Sequence, residues 1–161
     1  VAKIDCPAYI SLAGGILPIG VPESERSFEL GKASLLRDGD DVTIFGTGAT
    51  VVDALKAYDM LAEKNISARV YSMHTIKPID REAILKSAEE TKLIITIEEH
   101  TVIGGLGGAV AEVLADAGAG TPLRRLGLQD VFACMVGSYQ DVKNRFGITP
   151  EAIVKECIKY I

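Results

Sequence analysis

Apolar positions along the chain fall into short runs and longer helical repeats, and the two alternate. Leu93 to Ile97 is a continuous run with β-branched residues, bounded by charge on both sides. That composition suits a strand buried on both faces, as in a parallel sheet. The run stops at Glu98-Glu99-His100. Glycines at 104, 105, 107 and 108 follow, and then Leu106, Ala109, Val110, Val113, Leu114 and Ala117 recur at helical spacing. The chain thus leaves a buried strand, sets two carboxylates and an imidazole at its end, and enters a helix through glycines. In open parallel sheets ligands and partners sit in the crevice at such strand ends.

The same alternation extends both ways. Ala33 to Leu36 and Val42 to Phe45 read as strands. Asp38-Gly39 between them is a hairpin signal, which makes that pair antiparallel. Gly46-Thr47-Gly48 leads to a helix with Val51, Leu55, Tyr58 and Leu61 on one face, capped by Thr50 with Asp53 three residues on. Asn65 ends it. Ala68 to Met73 is the third strand. Pro78 and Asp80 open a helix that turns Ile84, Leu85 and Ala88 inward. Pro122 to Leu126 is the fifth strand, Gly127 to Gly137 a loop, and Ser138 to Phe146 a helix. Thr149-Pro150-Glu151 starts the last helix with a cap, a first-position proline and an acid in the first turn. Its inward residues are Ile153, Val154, Cys157 and Ile158.

The fold class expected is α/β: three layers, with a mixed five-stranded sheet between helices and one antiparallel edge strand. Residues 1–29 look different. Ala8 to Leu12 reads as a strand that belongs elsewhere, and Gly14, Gly15, Pro18, Gly20 and Pro22 as a linker. The domain proper is expected over 30–161.

Composition narrows the classes. With 48% hydrophobic and 24% charged residues the chain is expected to be globular and soluble. A net charge of -5 argues against nonspecific nucleic-acid binding. No run reaches the roughly 18 apolar residues of a membrane span. The three cysteines are scattered, with no Cys-x-x-Cys, so neither zinc nor a disulfide framework is indicated and a cytoplasmic setting is expected.

Several groups are candidates for chemistry. Gly46-Thr47-Gly48 begins like a dinucleotide loop, but Val51 stands where the third glycine belongs, and the next strand lacks the terminal acid. A tight turn is the plainer reading. Glu98-Glu99-His100 could serve as acid/base groups, as metal ligands or as boundary contacts. Consecutive strand residues alternate in direction, so all three cannot converge. His74 ends a strand, and a local hydrogen bond suits it better than catalysis. Arg124 and Arg125 alternate along a strand, where a salt bridge is the plainer use. The residues retained for an interface or anion site are Gly46, Thr47, Gly48, Glu99, His100, Gly104 and Gly105.

Residues 31–80, then Glu98 to Leu114, then Arg124 to Phe132, together with the wording Met73-His74-Thr75-Ile76-Lys77-Pro78-Ile79-Asp80, resemble the C-terminal domain of transketolase. Cys6 to Leu12 resembles the last strand of the preceding pyrimidine-binding domain. The resemblance implies an assembled enzyme that moves a two-carbon ketol unit between sugar phosphates, using thiamine diphosphate and a divalent metal such as magnesium. It implies partner domains or an N-terminal subunit, and a homodimer. The family's diphosphate motif is absent: Asn65 and Asn144 are never adjacent, and Arg37-Asp38-Gly39-Asp40 lacks the first glycine. No cofactor ligand carries over, no catalytic residue is assigned, and no cofactor is expected on this chain alone. The corresponding domain of a deoxyxylulose-phosphate synthase or of a 2-oxo-acid dehydrogenase beta subunit is the alternative within the superfamily. A small-anion-binding regulatory module is the alternative outside it.

Overall fold

Five strands and five helices follow from Ser34 onward, alternating between the second strand and the fourth helix. The computed structural model describes residues 5–12 and 28–161. The strands are β1 (Ser34–Arg37), β2 (Val42–Gly46), β3 (Ala68–Ser72), β4 (Leu93–Thr101) and β5 (Leu123–Leu128). The helices are α1 (Val51–Ala62), α2 (Arg81–Glu90), α3 (Leu106–Asp116), α4 (Tyr139–Phe146) and α5 (Pro150–Tyr160). The sheet order is β1-β3-β2-β4-β5, parallel throughout except for β1.

Handedness sorts the helices into layers. From β2 the chain steps outward to β3, whereas β3 to β4 and β4 to β5 step the other way. Right-handed crossovers then place α1 on one face and α2 with α3 on the other. The two cores match this. Val42, Ile44, Leu93, Ile95 and Ile97 meet Ala54, Ala57 and Leu61 of α1 and Ile153, Val154 and Cys157 of α5. Phe45, Tyr71 and Ile94 meet Ile84 of α2 and Leu106, Val110, Val113 and Leu114 of α3. Alternation along β4 therefore decides which helix layer each residue faces.

Several expectations change. Asp38-Gly39 makes no hairpin with β2: β1 lies antiparallel to β3, with Ser34 opposite Ser72 and Leu35 opposite Tyr71. The aspartates of the turn are drawn to the start of β3 instead. Asp38 Oδ1 accepts from Arg69 Nε at 2.8 Å, and Asp41 Oδ2 from Ser67 N at 3.0 Å. Gly39 lets the connection pass the end of β3, since a Cβ there would sit 2.4 Å from the Ala68 carbonyl oxygen.

Ala8 to Leu12, expected as a strand that belongs elsewhere, lies exposed and without a ladder among the described residues, since a strand needs a neighbour's backbone. The expected linker at Gly14 to Pro22 lies outside the described residues. β4 runs past Ile97 to Thr101 because β5 extends to Leu128 and pairs with it there. Ile158 faces solvent, one position off the buried stripe of α5. The Thr50–Asp53 cap is not formed: Thr50 Oγ1 lies 2.8 Å from both Thr47 O and Ile97 O, its single proton shared between them. Asp80 does cap α2, accepting from Ala83 N at 3.0 Å, and its other oxygen accepts from Ala33 N at 2.8 Å. Among the described residues no helix is long and apolar enough to cross a membrane.

Candidate functional site

The crevice follows from the strand order. β2 and β4 are central neighbours, and their outgoing connections diverge to opposite faces. Their carboxyl ends are the point where such a sheet opens. One wall is the turn after β2, with a single 3-10 turn at Gly48–Thr50. Gly48 takes φ +58, open to glycine and strained for other residues. The turn is stapled to the other wall through the Ile97 carbonyl, which accepts from Thr47 N at 3.4 Å and lies beside Thr50 Oγ1.

The other wall is the end of β4, where alternation splits the three polar residues. Glu98 belongs to the α3 face and is 1% exposed. Its two oxygens accept from Leu106 N at 2.7 Å and Gly107 N at 2.8 Å, the free N–H groups that open α3. A Cβ at Gly105 would sit 1.9 Å from Glu98 Oε2, so glycine at the helix entrance is what admits the carboxylate. Burial raises the Glu98 pKa, against the pull of those two N–H groups and of His100 and Arg125.

Glu99 takes the opposite face. Loss of hydration raises its pKa, Lys143 opposes this and Asp53 adds to it. Those two form a buried pair, with Lys143 Nζ 2.5 Å from Asp53 Oδ2. Lys143 also lies over the Tyr139 ring at 5.1 Å. His100 returns to the outside, its Nδ1 2.8 Å from Thr101 O.

The expected site residues thus divide. Gly46, Thr47 and Gly48 do line the crevice next to β4. Glu99 and His100 share it but point apart. Gly104, at φ +74, and Gly105 shape the entrance to α3. Two of the first N–H groups of α3, those of Leu106 and Gly107, already donate to the chain's own carboxylate, whose negative charge disfavours a second anion beside it.

His74 lies two residues past the end of β3, with Nδ1 3.0 Å from Thr75 Oγ1. Arg124 Nε pairs with Glu156 at 3.7 Å and lies over the Tyr160 ring at 4.2 Å. Arg125 Nη1 donates to Val102 O at 3.0 Å. Sequence reasoning missed Glu98 as the anchored member and Lys143 altogether. An acid on the inward stripe of α1, two places after Val51, was the available sign that a buried cation must come from elsewhere.

Beside this edge, residues 129–138 leave β5 without regular structure. Val131, Phe132, Met135 and Val136 are exposed there, Phe132 at 93% and Val136 at 103%. Ile103 is also exposed, just after Val102 N donates to Leu128 O at 2.8 Å. Two surface depressions lie along α2, lined in part by Tyr71 and Lys86 and by Ala88 and Thr121, rather than at the carboxyl edge.

Residues 31–153 match the family model described as transketolase, C-terminal domain. The chain belongs to the transketolase C-terminal domain family. It is 45% identical over 151 residues to the 6-deoxy-6-sulfo-D-fructose transketolase subunit of Clostridium sp., covering 94% of this chain and 46% of the relative. It is 41% identical over 145 residues to the 1-deoxy-D-xylulose-5-phosphate synthase of Thermomicrobium roseum, covering 89% of this chain and 23% of that enzyme. A solved structure described as a split gene transketolase, inactive beta4 tetramer, aligns with TM-score 0.81 and 40% identity, over 89% of this chain and 46% of that one. The chain therefore spans about half the length of the transketolase subunits it matches. The mixed sheet with its antiparallel edge strand agrees with the transketolase C-terminal fold expected from the sequence.

Proposed function

We propose that this chain is the C-terminal part of a transketolase-like enzyme that transfers a two-carbon ketol unit between sugar phosphates, and that its own role is assembly. One observation carries the reading: at the carboxyl edge the buried acids are already paired inward, while the strip from Ile103 to Val136 beside them faces solvent uncovered. An apolar strip poor in charge has the composition of an interface core. Its partner in this reading is the part of the enzyme that carries the cofactor, fused upstream or supplied as an N-terminal subunit, within a homodimeric, cytoplasmic assembly.

Thiamine diphosphate supplies the carbanion chemistry of such enzymes when bound. The sequence lacks the family's diphosphate motif, and among the described residues no group of three His, Cys, Asp or Glu side chains could hold a metal ion. The reading therefore assigns the cofactor to the partner and derives no chemical step here. In the same reading residues 1–29 finish the pyrimidine-binding domain and link to this one. The exposed side chains of Tyr9, Ile10 and Leu12 support it, since addition to a neighbouring sheet would cover them.

Reconstitution tests the proposal. The 161-residue chain alone, with thiamine diphosphate and magnesium, is expected to give no binding heat and no ketol transfer. Mixing it with the cofactor-binding part is expected to restore transfer. Activity or micromolar cofactor binding by the chain alone overturns it. A substrate panel on the assembled enzyme separates transketolase from the synthase reading that the Thermomicrobium likeness also supports.

A further inference from the structure

Phe28, in the segment leading into β1, lies against His74 at the carboxyl end of β3. The ring centroids are 4.7 Å apart and the planes are tilted by 38°. Phe28 and its neighbour Glu29 are exposed, Phe28 at 65%. His74 is fixed more firmly. Its preceding residue Met73 donates from N to Gly46 O at 2.8 Å, and Nδ1 shares a hydrogen bond with buried Thr75. Nε2 is buried and has no hydrogen-bond partner among the described residues.

The orphan nitrogen makes the contact sensitive to charge. In the neutral ring Nδ1 trades one proton with the Thr75 hydroxyl, and Nε2 is an unpaired but uncharged atom. In the imidazolium both nitrogens carry hydrogen. Thr75 accepts from Nδ1, and Nε2–H is then a cationic donor with nothing to receive it. Burying such a group is costly. The ring's described surroundings are Phe28 and Thr75. Burial lowers its pKa below the ordinary 6.5, and no charged group among the described residues is a cause of that shift. Phe28 is the ring packed on this imidazole, and parting the two would open the imidazole to water.

We infer that Phe28 and His74 form a proton-released clasp: neutral His74 holds the incoming segment against the sheet, and protonation lets that segment go. A depressed pKa for a base means that the closed form binds the proton less tightly. The clasp is therefore closed above the ordinary value and opens as pH falls from there through the lowered value. The inference does not rest on the enzyme reading, and its failure would leave that reading untouched.

The test uses the whole chain in solution. It has two histidines, so two imidazole C–H resonances are followed by NMR from about pH 8 to about pH 5, with the Phe28 ring signals and amide exchange at Phe28 to Leu30. His74 is expected to titrate with a midpoint below 6.5, and the Phe28 signals to move with the same midpoint. A midpoint one unit low corresponds to an about tenfold larger opening ratio in the protonated chain than in the neutral one. His74→Phe keeps a ring for Phe28 and removes the proton, and is expected to abolish the pH step in exchange. A midpoint at or above 6.5 would mean that the aromatic face welcomes the cation, and overturns the inference. So does a Phe28 signal indifferent to pH, or a pH step that survives in His74→Phe. The wild-type titration decides the matter even where the variant does not fold.

Discussion

Lys143 reaches across 90 positions of sequence to hold Asp53, its Nζ 2.5 Å from Oδ2, with side-chain exposures of 7% and 6%. This pair fastens α4 to α1, and with it the far end of the exposed 129–138 strip. Removing one partner strands the other charge in a dry site. Asp53→Leu and Lys143→Met are each expected to destabilise the domain by about 3–5 kcal/mol in denaturant titrations. Asp53→Leu with Lys143→Met together should cost less than either alone, since no charge is left behind. If the double variant is as unstable as the sum of the two, the pair is not acting as a buried ion pair.

Glu98 offers a second test because its pKa moves the unusual way for a paired acid. Glu98→Ala leaves Leu106 N and Gly107 N without acceptors and is expected to cost about 1–3 kcal/mol. Glu98→Gln isolates the charge. The folded pKa lies above the ordinary 4.5, so the folded chain holds this proton more tightly than the unfolded one. The stabilisation from that proton is complete below the unfolded value and is lost as pH rises through the folded one. Stability of wild type relative to Glu98→Gln should therefore improve as pH falls from 7 toward 4.5, measured in parallel urea titrations. A difference that moves the other way would mean the two N–H donors outweigh burial.

Gly39 tests the topology. A Cβ there would lie 2.4 to 2.8 Å from backbone atoms of Ala68, which cannot swing aside. Gly39→Ala is expected to destabilise by about 1–3 kcal/mol, the usual range for forced overpacking. Gly120→Ala, where a Cβ meets nothing within 4 Å, serves as the control and should change stability by less than about 0.5 kcal/mol. Equal effects at the two sites would mean that the β1–β2 connection does not pass against β3 as described.

The residues explain what could be read in advance. The buried run of β4, the glycine entrance to α3, the Asp80 and Thr149 caps and the layering all rest on local pattern, and local pattern is written in neighbouring residues. The partner of β1 was not legible. Asp38-Gly39 announces a turn, but only the attraction of Asp38 to Arg69, 31 positions away, says which strand lies beside it. At the crevice, alternation along Glu98-Glu99-His100 was legible and correctly forbade convergence. Which of the three goes inward depended on the face that α3 occupies, a matter of crossover handedness at β4. Lys143 left no local trace, because a buried lysine reads like any other polar residue on a short amphipathic helix.

Cysteine chemistry gives a fourth expectation. Cys157 is wholly buried under the β4 face, and burial pushes its thiol up to about 12. Cys6 and Cys134 are exposed. Reaction follows the thiolate and its access, so Cys157 should stay inert in the folded chain. At mildly alkaline pH a thiol reagent is expected to label Cys6 and Cys134 quickly and Cys157 only after denaturant is added, as read by peptide mass. Rapid native labelling at Cys157 would show that α5 opens readily from the sheet.

The assembly reading makes the last demand, on Phe132 and Val136. Both side chains are almost fully exposed and contribute little packing to their own domain. Phe132→Ser and Val136→Ser should therefore leave the stability of the lone chain within about 0.5 kcal/mol of wild type. In the assembled enzyme the same changes place a hydroxyl where an apolar contact is expected, at the centre of a strip depleted in charge. Truncating a buried interface anchor commonly costs more than about 1 kcal/mol, and about 2 kcal/mol or more where it is a hot spot. The pair is expected to weaken reconstitution at least about thirtyfold, if the two costs add to about 2 kcal/mol. Excess subunit should recover ketol transfer, since the lesion lies in association rather than in chemistry. Normal reconstitution with both changes would move the partner's footprint away from residues 129–138, and loss of the lone chain's stability would mean that the strip packs on its own domain after all.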